Sequence, residues 1–141
     1  MIVQGQTTAF KQNLLSGLEN FAAGTPYTYK IALYDALANL NNATTAYTSV
    51  NEVTGTGYTA GGQVLTIIPP TSSSVYNTAW VSFNDVTWSP ASFTCRGALI
   101  YNATTGAAVQ VLNFGSDKTA TSTFTIQFPT ADATNAILRL S

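Results

Sequence analysis

The stretch Tyr27-Thr28-Tyr29-Lys30-Ile31-Ala32-Leu33-Tyr34 is where the reading of this chain is decided. Tyr27, Tyr29, Ile31 and Leu33 alternate with Thr28, Lys30, Ala32 and Tyr34. A period of two sends successive side chains to opposite faces, so the spacing predicts a half-buried strand with its apolar set on one face. Immediately upstream the period is different. Phe10, Leu14, Leu15, Leu18, Phe21 and Ala22 fall on one stripe of a helix over residues 9–23, with Lys11, Gln12, Ser16, Glu19 and Asn20 on the opposite face. The Thr7 or Thr8 hydroxyl can cap its start, Gly24 can end it in the left-handed conformation, and Pro26 prevents its continuation. This amphipathic helix either covers the domain's own sheet or docks on a partner chain. The pattern alone leaves both open.

Downstream the period of two persists. Runs rich in β-branched and aromatic residues predict strands at 63–68, 79–83, 86–88, 91–101, 107–113, 119–128 and 136–140. Turn formers bound them: Pro69-Pro70, Asn84-Asp85, Ser89-Pro90, and the stretches 102–106, 115–118 and 129–132. Seven or eight short strands at this spacing predict an all-β fold, a sandwich or barrel, with one N-terminal helix. Residues 35–62 are polar and rich in Asn and Thr, and 47–53 could form a short helix or an edge strand. No repeat or linker divides the chain, so the expectation is an N-terminal arm at 1–8 followed by a single domain at 9–141.

Composition narrows function mainly by exclusion. The chain has 141 residues, 45% of them hydrophobic but only 8% charged, with a net charge of −1. Ordinary globular chains carry about 25% charged residues, so here Thr, Ser, Asn and Gln must fill the water-facing positions. There is no histidine, which removes the commonest general base and the commonest metal ligand. Cys95 is alone in an apolar run and reads as a small buried hydrophobe. Lys11, Lys30, Arg96, Lys118 and Arg139 are scattered, so a phosphate-tracking nucleic-acid surface is not expected. No apolar run approaches the ~20 residues that span a bilayer, and residues 1–10 lack the features of a secretion signal. The sequons Asn42-Ala43-Thr44 and Asn102-Ala103-Thr104 then read as turn chemistry.

Each candidate site has a plain structural alternative. Gly55-Thr56-Gly57-Tyr58-Thr59-Ala60 has the spacing of a dinucleotide-binding turn, but the β-branched run after Gly62 supplies no helix to face a pyrophosphate. The glycines instead suit a loop with positive φ angles entering a strand. Tyr27, Tyr47, Tyr58, Tyr76 and Trp88 could stack on sugar rings if they formed an exposed platform. Asp35, Glu52, Asp85, Asp117 and Asp132 are isolated, which suits turns and caps better than paired-carboxylate hydrolysis. No cofactor and no enzymatic activity are expected. The apolar tip Ile2 and Val3, with the stripe residues Phe10, Leu14, Leu18 and Phe21, are the candidate partner contacts.

Several blocks of the chain also carry a family likeness. Tyr29 to Tyr34, Thr44-Thr45-Ala46-Tyr47, Asn51-Glu52-Val53, the 55–62 glycine segment, Val86-Thr87-Trp88, Arg96-Gly97-Ala98-Leu99-Ile100-Tyr101-Asn102 and Phe114-Gly115-Ser116-Asp117-Lys118 resemble small structural proteins of tailed bacteriophage virions. Within that group the length and all-β pattern look most like a capsid cement or decoration protein, some of which are jelly rolls. The resemblance implies a location in the virion after synthesis in the host cytoplasm, and the major capsid protein as partner. Independently of the likeness, a low-charge surface and abundant strand edges predict self-association as a homo-dimer or homo-trimer, since they leave little to oppose it. Head-completion, tail or fibre-associated roles, and a carbohydrate-binding β-sandwich module, are the alternatives. No binding residues are transferred from the likeness.

Overall fold

The alternating stretch does form a strand, β2 (Tyr29–Tyr34), but it is buried on both faces rather than one. The computed structural model describes all of residues 1–141. In it β2 pairs antiparallel with β7 (Phe93–Asn102) through all six of its residues, from Tyr29 opposite Asn102 to Tyr34 opposite Gly97. With β1 (Gly5–Gln6), β8 (Ala108–Ala120) and β3 (Gln63–Val64) they make a five-stranded sheet in the order β1-β8-β7-β2-β3. One face carries Tyr29, Ile31, Leu33, Cys95, Ile100 and Val109 into the larger core. The other carries Ala32, Tyr34, Leu99, Tyr101 and Val111 into a second core closed by Ile2, Ala38 and Leu40.

Against the larger core lie two smaller sheets. One joins β4 (Ile67–Ser73), β5 (Thr78–Phe83) and β10 (Leu138–Leu140) in the order β10-β5-β4. The other pairs β6 (Val86–Trp88) with β9 (Phe124–Ile126). The all-β sandwich with a single helix is therefore what the chain forms. Its strands divide among sheets of five, three and two.

The helix α1 (Thr8–Leu15) is about half the expected length. Thr7 caps it as expected, its Oγ1 accepting from the Phe10 amide at 3.1 Å while donating to the Ala108 carbonyl at 3.0 Å. The helix stops at Gly17, not Gly24. Gly17 takes φ +73°, its amide donates to Leu14 O at 3.3 Å, and the Leu18 amide donates to Asn13 O at 2.8 Å. Those two bonds are the reversed pair of a Schellman motif, which satisfies the last carbonyls and turns the chain out of the helix.

The segment 1–8 is not a free arm. Val3 donates to Leu40 O at 2.8 Å, Leu40 donates to Met1 O at 3.0 Å, and β1 pairs with β8 at Val111 and Gln110. Ile2 is buried over Gly97, where an added Cβ would lie 2.9 Å from Ile2 Cδ1, so the absent side chain leaves the room Ile2 fills. Two expected turns are likewise continuous strand. Gly115 to Lys118 forms a bulge inside β8, where Arg96 Nε meets Asp117 Oδ1 at 2.9 Å. Pro69-Pro70 sits at the register shift of β4, an edge strand, where a missing backbone donor breaks no ladder bond. Residues 47–53 form neither a helix nor an edge strand beyond the single bridge Tyr34–Glu52.

Candidate binding cleft

Because the Schellman turn at Gly17 ends the helical course, the helical face assignment fails at Leu18 and Glu19. Leu18 turns outward, 51% exposed, and Glu19, expected on the polar face, turns inward to 7%. Phe21 is pinned in the larger core by stacking on Tyr29, with ring centroids 4.4 Å apart, and by edge contacts with Phe10 and Phe83. Glu19 Oε2 accepts from Tyr29 Oη at 2.7 Å and from Asn102 Nδ2 at 3.2 Å. Tyr29 Oη in turn accepts from the Asn20 amide at 3.1 Å. Asn102 Oδ1 accepts from the Thr104 and Thr105 amides, so the sequon asparagine is a buried turn residue.

The other carboxylate oxygen, Glu19 Oε1, is buried with no hydrogen-bond partner; Asn13 faces this carboxyl without completing that valence in normal geometry. Burial pushes the Glu19 carboxyl above the usual carboxylate range, against the lowering effect of the Tyr29 and Asn102 bonds. The Tyr29 phenol is pushed up as well, first by burial and then by its bond to Glu19.

Glu19 lines a cleft of about 280 Å³ between the N-terminal segments and the three-stranded sheet. Phe10, Leu14 and Phe21 form one wall, and Trp80, Val81 and Leu138 the other. A second, polar cavity of about 330 Å³ is lined by Thr78, Gln110 and Ser141, among others. Gln6 and Arg139 line both cavities, and Gln6 Nε2 donates to Arg139 O at 3.3 Å, so this pair is their common wall. Gln110 Oε1 is the other buried side-chain acceptor without a partner, and Gln110 is 5% exposed.

The second buried acid is fully engaged. Glu52 accepts from Tyr47 Oη at 2.6 Å, Tyr58 Oη at 2.6 Å and the Gly61 amide at 2.7 Å. Tyr101 Oη donates to Gly61 O at 2.7 Å, and Tyr47 stacks on Tyr101. Burial and the Glu52 bonds raise the Tyr47 and Tyr58 phenols. The group ties the glycine segment to β2 and β7. Gly57 and Gly62, at φ +87° and +75°, each bring backbone to within 1.8 Å of where a Cβ would lie, against Pro90 O and Ile31 O. No helix follows; the loop enters β3, as its glycines suggest.

The remaining acids serve turns or pairs. Asp35 accepts from the Leu37 amide, Asp85 from Phe128, and Asp132 from Thr134 and Asn135. Cys95 is wholly buried and its thiol is pushed up to about 12, chiefly by that burial. Of the aromatic candidates, Trp88 is buried and packs with Tyr58, while Tyr27 is half-buried on the core and Tyr76 stands exposed on the β4–β5 turn. They do not share a solvent-facing platform.

Of the candidate partner contacts, Ile2, Phe10 and Phe21 belong to the cores and Leu14 packs on one, which leaves Val3 and Leu18 exposed. Sequence reasoning missed Glu19. The signal was Ser16-Gly17, a helix-ending pair within the periodic stretch. No protein-family model matches the chain, and no curated protein or solved structure is significantly similar to it.

Proposed function

We propose that this chain is a non-enzymatic virion structural protein that binds a capsid shell and reinforces it as a cement or decoration protein. The observation that carries the reading is the surface: only 8% of residues are charged, while Leu15 at 91%, Leu18 and Leu140 stand exposed to solvent. A domain that stays free in solution usually keeps more charge than this. The sequence blocks that resemble tailed-phage virion proteins point the same way. The six acids, each held in a structural hydrogen bond or ion pair, support a non-catalytic role.

The partner is the major capsid protein, with self-association at a local symmetry axis. Reinforcement follows from multivalency. Each copy bridges adjacent shell subunits, and many such contacts must break before the shell opens. Mass spectrometry of purified virions tests this. A copy number that is a simple fraction of the major capsid protein is expected. A few copies per particle would make it a head-completion or tail component, and absence from the particle would overturn the virion reading.

A further inference from the structure

The hairpin of β4 and β5 carries no charged residue from Ile67 to Phe83, and at its tip Val75 is 87% and Tyr76 65% exposed. Adjacent apolar side chains held out in water mark a contact surface. The tip is ordered by its own bonds. Ser73 opposite Thr78 is the last rung of the ladder, the Asn77 amide donates to Ser74 O at 3.4 Å, and Thr78 Oγ1 donates to Tyr76 O at 2.8 Å. From the tip the same strand runs straight into the apolar cleft. Thr78 at the base of the tip and Val81 in the cleft wall are three residues apart, ~10 Å of β5. The chain thus carries an uncharged projection and an apolar recess in succession on one strand. We propose that the two fit each other between copies: the Val75–Tyr76 tip of one chain seats in the cleft of a second copy.

Size and polarity match. The cleft holds about 280 Å³, more than the ~150 Å³ of an engineered cavity that binds benzene, so the Tyr76 ring enters with room for Val75 beside it. Phe10, Leu14, Trp80 and Leu138 give it apolar walls, and its rim includes Pro70 and Leu140, both exposed. A hairpin without charge enters such a recess without stripping water from an ion of its own. Because tip and cleft follow each other along β5, two hairpins laid antiparallel exchange tips reciprocally, which closes a two-fold pair rather than an open chain of copies. The contact is small. An aromatic side chain buries ~150–250 Å², so two tips fall well short of the ~1,200 Å² at the lower end of stable interfaces. The pair therefore forms only at concentrations on the order of hundreds of micromolar in free solution, and gains strength where many copies are held together. This contact gives a surface to the self-association proposed above, and its role on a shell rests on that reading.

The test is an NMR dilution series of the full chain from ~1 mM downwards, with sedimentation on the same samples. The amides of Val75 and Tyr76 and those of Phe21, Trp80 and Leu138 should shift together along one curve, which sedimentation assigns to a dimer. Tyr76→Ser, on the exposed turn, should weaken the pair at least about tenfold, while Tyr76→Phe should leave it unchanged because the ring is what the cleft takes. Leu140→Asp places a charge at the exposed rim where the tip seats, and should weaken it similarly. Mixing the variants identifies the occupant. Isotope-labelled Tyr76→Ser, whose cleft is intact, should show cleft shifts when unlabelled Leu140→Asp, whose tip is intact, is added, and far smaller ones when unlabelled Tyr76→Ser is added. Shifts at the cleft without the tip, which would mean a different occupant, an association that Tyr76→Ser leaves intact, or no concentration-dependent shift up to ~1 mM would each overturn the proposal. The copy number in virions is read separately, so a chain that pairs in this way yet is absent from virions would sink the virion reading alone.

Discussion

Glu19 is the residue at which burial and hydrogen bonding oppose each other most directly. Its carboxyl is raised above the ordinary value by desolvation, so the folded state holds its proton more tightly than the unfolded chain does. The sign follows: this residue favours folding most below the unfolded pKa, and that contribution is lost as pH rises through the raised folded value. Glu19→Gln keeps an acceptor for Tyr29 and Asn102 but cannot ionise. Its melting temperature relative to the parent should therefore increase between pH 4 and pH 8, and parallel melting curves at the two pH values would show that the carboxylate is not penalised. A second prediction at this scale separates two kinds of glycine. Gly57 and Gly62 combine positive φ with backbone 1.8 Å from an added Cβ, whereas Gly106 has φ +84° and open space. Gly57→Ala and Gly62→Ala should each cost about 3 kcal/mol or more, but Gly106→Ala only ~1 kcal/mol, from chemical denaturation.

At the scale of elements, the short helix changes what its mutations mean. Phe21 lies in the core, outside α1, so Phe21→Ala should cost about 3–5 kcal/mol, while Leu18→Ser on the exposed turn should stay within ~0.5 kcal/mol. Thr7→Ala removes both the cap of α1 and the bond to β8, and should cost about 1–2 kcal/mol in urea unfolding. The strands from β2 to β9 were largely legible, because the period of two and the flanking turn residues are local signals. The helix end was legible too, in Gly17, but Gly24 with Pro26 beyond it gives the same local signal and only tertiary packing chooses between them. Pro69-Pro70 and Gly115 misled for one reason: each reads as a turn locally, yet the irregularity it makes is carried within a strand that stays paired with its hairpin partner on both sides of it. The same prolines blunt the β4 edge, and β1 and β3 are two residues long.

Over the whole molecule, the least legible feature is the second core. Nothing local in Met1-Ile2-Val3 says that it closes the back of the sheet, because its partners, Leu40, Gly97 and Val111, lie far along the chain. The cleft was illegible for the same reason, since its walls come from four separate segments. Charge contributes little at this scale. The one ion pair, Arg96–Asp117, is substantially exposed, so Asp117→Asn should change stability by less than ~1 kcal/mol, and melting should be nearly independent of salt. The N-terminal segment is the larger lever. Deleting residues 1–6 takes Ile2 out of the second core, removes β1 from β8, and strips the Leu40 backbone of its partners Met1 and Val3. The lost Ile2 burial alone is comparable to a large-to-small core substitution, about 2–5 kcal/mol, a large share of the ~5–15 kcal/mol that holds a typical domain. The truncated chain should unfold at markedly lower urea, and the amides around Leu40 and Val111 should exchange faster while those of β6 and β9 change least. An unchanged midpoint would mean that the sheet keeps its second face covered without the N-terminal segment, and that residues 1–6 are an appendage after all.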